Sequence, residues 1–210
     1  QVYFWRVQPI NICGTGDFSN YNIFKTDKIS CIDYYSSNLP IDLNDANSNS
    51  KGITVADLSI PYDVPIVDLN VLVNIDHSWL EDLTLYLESP DGVKIILSKQ
   101  IGGSGNNYSE TVFDQDSNNN IFNSSPPFSG SYKPIQSLEA FYNKSAFGKW
   151  KLIVEDSFQE DTGSINAFSI EMCLLGTPLP NSDEDSIVDD QDNCPNISNQ
   201  DQLDSDGNGI

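Results

Sequence analysis

Six short apolar or alternating runs, each closed by turn residues, limit what this chain can become. They fall at 53–60, 66–75, 83–88, 93–97, 149–155 and 166–174. Between them stand turn signals such as Ser89-Pro90-Asp91-Gly92, Gly102-Gly103-Ser104-Gly105 and Asp161-Thr162-Gly163. Runs of this length with turns every ten or so residues predict an all-β sandwich or jelly roll. No long stretch carries a helical period, and 138–143 is expected to form at most a helical turn. The apolar fraction of 38%, with ten Phe, nine Tyr and three Trp, is enough for a real core.

Charge removes whole classes of function. The formal net charge of -21 repels nucleic acid and anionic membrane surfaces. No apolar run approaches the ~20 residues of a membrane helix, so membrane insertion is not expected. Four cysteines (Cys13, Cys31, Cys173, Cys194) form no CxxC pair, and the chain has one His. Zinc ligation is therefore not expected, and disulfides in an oxidising compartment are. The chain starts at Gln1 without Met or a signal peptide and stops inside a motif, so it is expected to be a piece of a longer protein.

The N-terminal segment has an aromatic, β-branched run at 2–7, a turn at Cys13-Gly14-Thr15-Gly16 and a second run at 21–24. This pattern predicts a hairpin, and a lone hairpin is marginal in water, so it should dock on something else. The stretch YFWRVQPINICGTGDFSNYNIFKT resembles the last two strands of a fibronectin type III domain, which assigns 1–28 to such a domain. The alternative is an edge hairpin of the domain that follows.

The C-terminal segment, 177–210, holds nine acidic residues and no Lys, Arg or His. Oxygen-bearing side chains stand at positions 1 (Asn181), 3 (Asp183), 5 (Asp185), 9 (Asp189) and 12 (Asp192), and Ile187 at position 7 offers its carbonyl. This is the ligand spacing of a twelve-residue calcium loop, which wraps oxygens around one hard cation. Ser186 stands at position 6, where Gly makes the sharp turn, and should weaken the site. The count restarts at Asp204, with Asp206 at 3, Asn208 at 5 and Gly209 at 6, and the chain stops at Ile210. The stretch DEDSIVDDQDNCPNISNQDQLDSDGNGI is similar to thrombospondin type 3 repeats. That resemblance implies folding around Ca2+ and a cysteine partner for Cys194 further along. Two modification signals are weaker: Asn-x-Ser at Asn107, Asn123, Asn143 and Asn196, and Asp185-Ser186-Ile187, which resembles a Bacteroidetes O-glycosylation site and competes with the calcium loop.

The body, 29–176, resembles the P domain of subtilisin-like proprotein convertases in its bacterial, Bacteroidetes-type form. The match rests on VDLNVLVNIDHSWLEDLTLYLESPDGVKIIL, with its His77-x-x-x-x-Asp82-Leu83 and Ser-Pro-x-Gly patterns, on ETVFDQD, and on PPFSGSYKPIQSLEAFYNKSAFGKWKLIVEDSFQEDTGSINAFSIEMC. The Gly148-x-Trp150-x-Leu152-x-Val154-x-Asp156 core and Asp161-Thr162-Gly163 are its most specific pieces, and Phe168 departs from a commoner Trp. The resemblance implies a jelly-roll β-sandwich and a Cys31–Cys173 bridge joining first and last strands. It also makes a calcium ion at the loop carboxylates Asp114, Asp116, Asp156 and Asp161 an expectation, against solvated loop charges as the alternative.

The other motif residues have structural readings. Trp150 is expected in the core, His77 as a hydrogen-bonded structural histidine, and Asp82 as a loop-fixing acceptor of backbone N–H groups. Gly92 and Gly163 suit turns with positive φ. No Ser-His-Asp or paired-His setting accompanies the one His, so the chain is not expected to be an enzyme. The reading is a non-catalytic, calcium-binding accessory module of a large secreted or cell-surface bacterial protein. It would stabilise or position a neighbouring domain, a protease among the candidates, or act in adhesion. Its partners would be domains of the same protein, or extracellular glycans or proteins. A glycan-binding jelly roll using Tyr34, Tyr35, Tyr108 and Tyr132 is the alternative.

Overall fold

The computed structural model describes residues 2–12, 14–25, 28–176, 193–194 and 197–198. The proposed tail ligands Asn181, Asp183, Asp185, Ile187, Asp189, Asp192, Asp204, Asp206 and Asn208 lie outside the described residues, as does Cys13.

At the N-terminus β1 (Val2–Trp5) pairs antiparallel with β4 (Asn22–Lys25). Between them β2 (Ile10–Asn11) and β3 (Gly14–Thr15) form a two-residue ladder. The hairpin's one guanidinium, Arg6, stacks 3.7 Å from the Phe18 ring centroid and 5.0 Å from that of Tyr21.

The body is a β-sandwich of ten strands: β5 (Ile29–Tyr35), β6 (Ile41–Asp42), β7 (Gly52–Ile60), β8 (Ile66–His77), β9 (Leu83–Glu88), β10 (Lys94–Lys99), β11 (Tyr108–Phe113), β12 (Phe128–Tyr132), β13 (Gly148–Asp156) and β14 (Gly163–Leu175). One sheet has the order β10-β9-β13-β7, antiparallel throughout. The other runs β12-β11-β8-β14-β5, with β6 also pairing β14. Only β11 and β12 lie parallel within it. The segment expected to give a helical turn forms a 3-10 helix at Leu138–Phe141.

The alternation read from the sequence is the inside–outside alternation of these strands. Ala56, Leu58 and Ile60 of β7 face inward with Trp150, Leu152 and Val154 of β13, against Leu69, Val71, Val73 and Ile75 of β8 and Ile170, Met172 and Leu174 of β14. Burying a side chain of this kind contributes ~1.5–3 kcal/mol. Trp150 is fully buried, meets Phe141 edge-on at 5.1 Å and donates its Nε1–H to the Ala146 carbonyl at 2.9 Å. Phe168 fills its place in the same core.

Two ends of the sandwich matter below. At one end Cys31 of β5 stands directly opposite Cys173 of β14, and a disulfide joins them, as expected. At the other end β8 stops at His77, β13 stops at Asp156 and β14 begins at Gly163. Gly92 has the expected positive φ of 82°. Gly163 does not, and its reason is space: a Cβ there would sit 2.2 Å from the Asp76 carbonyl oxygen and 2.7 Å from Cδ2 of His77. A side chain at 163 would displace His77.

Candidate functional site

The end built from His77, Asp82, Asp156 and Asp161 gathers the body's one histidine and three acids in one place. His77 ends β8 in one sheet and Asp156 ends β13 in the other, so their contact ties the two sheets together. Nε2 of His77 lies 3.3 Å from Oδ2 of Asp156, and both side chains are buried. Neither of these two atoms makes a hydrogen bond among the described residues, whereas the second ring nitrogen is held: Nδ1 is 2.9 Å from the Trp79 carbonyl oxygen and 3.2 Å from the Trp79 N–H nitrogen. Oδ1 of Asp156 accepts from the Phe158 N–H. Burial, above all, lifts the Asp156 carboxyl above its ordinary range.

The chain leaves His77 through Ser78 and Trp79 into a 3-10 helix, Leu80–Asp82. Loop 100–107 holds this helix from below: Leu80 N–H donates to the Gly105 carbonyl at 3.1 Å and Glu81 N–H to that of Gly103 at 3.2 Å. On the other side Ser157 N–H donates to the Asp82 carbonyl at 3.0 Å, and Ser78 Oγ–H donates to Oδ1 of Asp161 at 2.5 Å. These contacts fix a depression of about 650 Å3 lined by Trp79, Glu81, Asp82, Gln100, Phe158, Gln159 and Asp161. Trp79 and Phe158 are 43% and 56% exposed.

Asp82 corrects an expectation. Its backbone is held, but its carboxylate accepts no hydrogen bond among the described residues, although the residue is only 5% exposed. The 3-10 turn aims it into the depression, away from the backbone N–H groups it was expected to cap. Burial and then the nearby charges of Asp156 and Asp161 hold its carboxyl above the usual range. The role foreseen for Asp82 falls instead to Asp114, whose Oδ1 accepts from Asp116 N–H at 2.7 Å and whose Oδ2 accepts from Ser131 Oγ–H at 3.2 Å.

The four carboxylates proposed as one calcium set do not come together. Asp156 and Asp161 belong to the His77 end. Asp114 and Asp116 follow β11 beyond the Phe113–Val71 pair, six residues down β8 from His77, which is roughly 20 Å of strand. Among the described residues no group of three or more His, Cys, Asp or Glu side chains is placed to hold a metal ion.

Of the four tyrosines offered as sugar platforms, Tyr108 is fully buried, stacked 5.2 Å from Phe128 and bonded through its hydroxyl to Ser98 at 2.8 Å. The inward register of β11 requires this. Tyr132 packs edge-on to Phe128, and its hydroxyl donates to the Ser129 carbonyl. Tyr34 is half-buried against the core, and burial pushes its hydroxyl up to about 12. Tyr35 alone of the four is widely exposed, at 70%, beside a depression of about 580 Å3 on the outer face of β5, β14 and β8.

Comparison with known proteins decides the family. The model of the proprotein convertase P-domain matches residues 66–172, from the start of β8 nearly to the end of β14. The chain belongs to the proprotein convertase P-domain family. Two curated relatives, each named calcium-dependent protease, come from Trichormus variabilis and Nostoc sp.. The first is 30% identical over 133 residues, covering 62% of this chain, and the second 28% identical over 135 residues, covering 63%. Each alignment covers 17% of the relative, so this chain spans less than a fifth of the length of the proteins it matches. Among solved structures, the serine protease of Aeromonas sobria in complex with its chaperone aligns over 72% of this chain and 28% of its own, at 16% identity and a TM-score of 0.39. The P-domain signature thus spans both faces of the depression, with His77 to Asp82 on one and Asp156 to Gly163 on the other. The sequence pattern identified these residues correctly but not the pairing of His77 with Asp156, which only the meeting of two sheets creates.

Proposed function

We propose that this chain is a non-catalytic accessory module of a larger extracellular protease, a P domain that stabilises or positions a neighbouring catalytic domain. The family match over residues 66–172 carries the reading, and the relatives named calcium-dependent protease support the protease and the calcium. The His77 geometry supports the non-catalytic part. A catalytic imidazole needs one nitrogen free for a nucleophile, and here one faces Asp156 and the other the Trp79 backbone, away from solvent. No helix among the described residues is long and apolar enough to cross a membrane.

In this reading the acidic tail supplies the calcium function, with Asn181, Asp183, Asp185, Ile187, Asp189 and Asp192 as one loop and Asp204, Asp206 and Asn208 beginning another. The N-terminal hairpin is the edge of a fibronectin-like neighbour. Calcium titrated calorimetrically into the chelator-treated chain should give heat and raise the thermal midpoint. A chain that shows neither would remove the calcium function. A fluorogenic peptide assay should find no turnover with or without calcium. Turnover abolished by His77→Ala would overturn the accessory reading.

A second reading, glycan binding, is favoured by one observation. Tyr35 stands beside a depression that Asn70, Asn166, Asp33 and Glu171 also line, a mixture of one apolar face and convergent polar groups that suits a small ligand. A glycan array in which no sugar is retained would dispose of it.

A further inference from the structure

The depression at the His77 end has three properties that together specify a ligand. The first is a carboxylate without a protein donor: Asp82 is 5% exposed, lines the depression and accepts no hydrogen bond among the described residues, and its oxygens are not sealed from solvent, so they open on the depression. The second is surplus negative charge. Glu81 and Asp161 line the same depression, and Asp156 lies behind it, while among the described residues no Lys or Arg lines it. His77, the nearest group that can carry positive charge, faces Asp156. The third is the pair of exposed rings, Trp79 and Phe158, on either side of Asp82 in sequence and brought to one depression by the fold.

A cation answers all three, and the rings decide which kind. Calcium wants six to eight oxygens around one point. Aromatic walls supply none, and among the described residues no three carboxylates here are placed to share an ion. An organic cation uses both features: it pairs with a carboxylate and lies against π faces. Among such groups a guanidinium is the better fit, since it is planar, stacks on aromatic rings and bonds a carboxylate through two parallel N–H groups. Trp and Arg are also the residues enriched among the hot spots of protein interfaces.

We propose that this depression receives a basic side chain, an arginine in the first place, presented by a partner polypeptide, with the Asp82 carboxylate as its counter-ion and Trp79 and Phe158 as its flanking rings. The proposal goes beyond the accessory reading, because it holds whether the partner is a neighbouring domain or a separate protein. It also assigns roles to three residues that the sandwich itself leaves unused.

The chain's overall negative charge would attract any basic peptide, so the test must separate the site from the surface. N-acetyl-arginine amide titrated into the 210-residue chain, followed by NMR at the Trp79 indole, should give a saturating shift localised to Trp79, Asp82 and Phe158. The neutral isostere N-acetyl-citrulline amide should bind at least about tenfold more weakly, since charge-assisted bonds are the stronger ones. Asp82→Asn and Trp79→Ala should each abolish the localised shift while the thermal midpoint shows them folded. Asp17→Asn, an exposed acid of the N-terminal hairpin, should leave it unchanged. Three results would overturn the proposal: no shift at Trp79, a shift equal for the arginine and citrulline compounds, or a shift that survives Asp82→Asn. Calcium chloride in a separate titration gives the fourth. If calcium alone perturbs Asp82 and Asp161 with one-to-one saturation and the arginine compound does not, the site is a metal site.

Discussion

The two ends of the sandwich are made from the same kinds of residue and are finished in opposite ways. At the disulfide end acids find donors. Asp114 accepts from Asp116 N–H and Ser131, Asp68 accepts from the Tyr142 hydroxyl at 2.6 Å, and Asp91 accepts from Ser89 and from Lys144. The Asp91 carboxyl is accordingly held below its usual range, first by the Ser89 hydroxyl and then by the Lys144 ammonium. At the His77 end Asp156 and Asp161 keep one donor each, Phe158 N–H and Ser78, and Asp82 has none among the described residues; Asp82 and Asp156 lie close to each other and both carboxyls are pushed upward. The lesson is that an aspartate's work is set by the donors around it. Where donors converge it closes a loop, and where they do not it stores unfavourable charge that a partner or a proton can relieve.

The largest effect should come from cutting the covalent tie that distinguishes the ends. Cys31 and Cys173 are 142 residues apart in sequence, and closing a loop of that size is worth about 5 kcal/mol in the chain-entropy view. The Cys31→Ala/Cys173→Ala double variant should lose stability on that order in urea denaturation, with hydrogen exchange rising first in β5 and in the facing half of β14. Uniform loss across both ends would break the distinction drawn here. The next largest effect belongs to the other end. His77→Ala empties the buried space beside Gly163 and removes the ring that faces Asp156 across the sheets, a change in the ~2–4 kcal/mol range of large-to-small core substitutions. A loss below about 1 kcal/mol, in the range of exposed pairs, would show that the His77–Asp156 contact does not join the sheets. Asp114→Ala should cost less, about 1–2 kcal/mol, because two ordinary hydrogen bonds are lost from a half-exposed loop.

Much of this contrast was hidden in the sequence for physical reasons. The strongly alternating strands, β7 to β10 with β13 and β14, were legible because each carries an apolar face against the core. β11 and β12 were not. A bulge between Ser109 and Thr111, with Glu110 at a φ of 48°, breaks the alternation of β11. β12 is a sheet edge of mixed Phe-Ser-Gly-Ser-Tyr composition, held by a parallel ladder. β5 contributes only one half-buried face, since its alternate residues Cys31, Asp33 and Tyr35 point outward. At the site, the Asp82 and Asp156 motifs were readable as sequence, but their proximity depends on β9 and β13 pairing within one sheet, Asp156 opposite Leu83, with Asp82 and Asp156 74 residues apart in the chain. Likewise Gly163 looked like a turn glycine and proved to be the space in which the His77 ring lies.

The smallest effect is the most discriminating, because its sign differs between the ends. Asp82 has a folded-state pKa above its ordinary 3.8, so its protonated form is favoured by folding. Its contribution to stability is therefore present in full below the ordinary carboxylate range and is lost as pH rises through the folded value. At pH 7 the charged carboxylate weakens the fold, and Asp82→Asn should raise stability by a modest amount, on the order of 1 kcal/mol or less. That gain should shrink towards zero as pH falls to about 4, where a protonated Asp82 and an Asn differ little. Asp91 should behave in the reverse sense. Its carboxyl is held low, so its contribution is present above the ordinary range and lost on acidification, and Asp91→Asn should lower stability at pH 7 with a deficit that closes as pH falls. Thermal midpoints of the two variants and the parent across this range check both signs together. If Asp82→Asn were destabilising at pH 7, the carboxylate would have a donor after all, and the His77 end would be finished in the same way as its opposite.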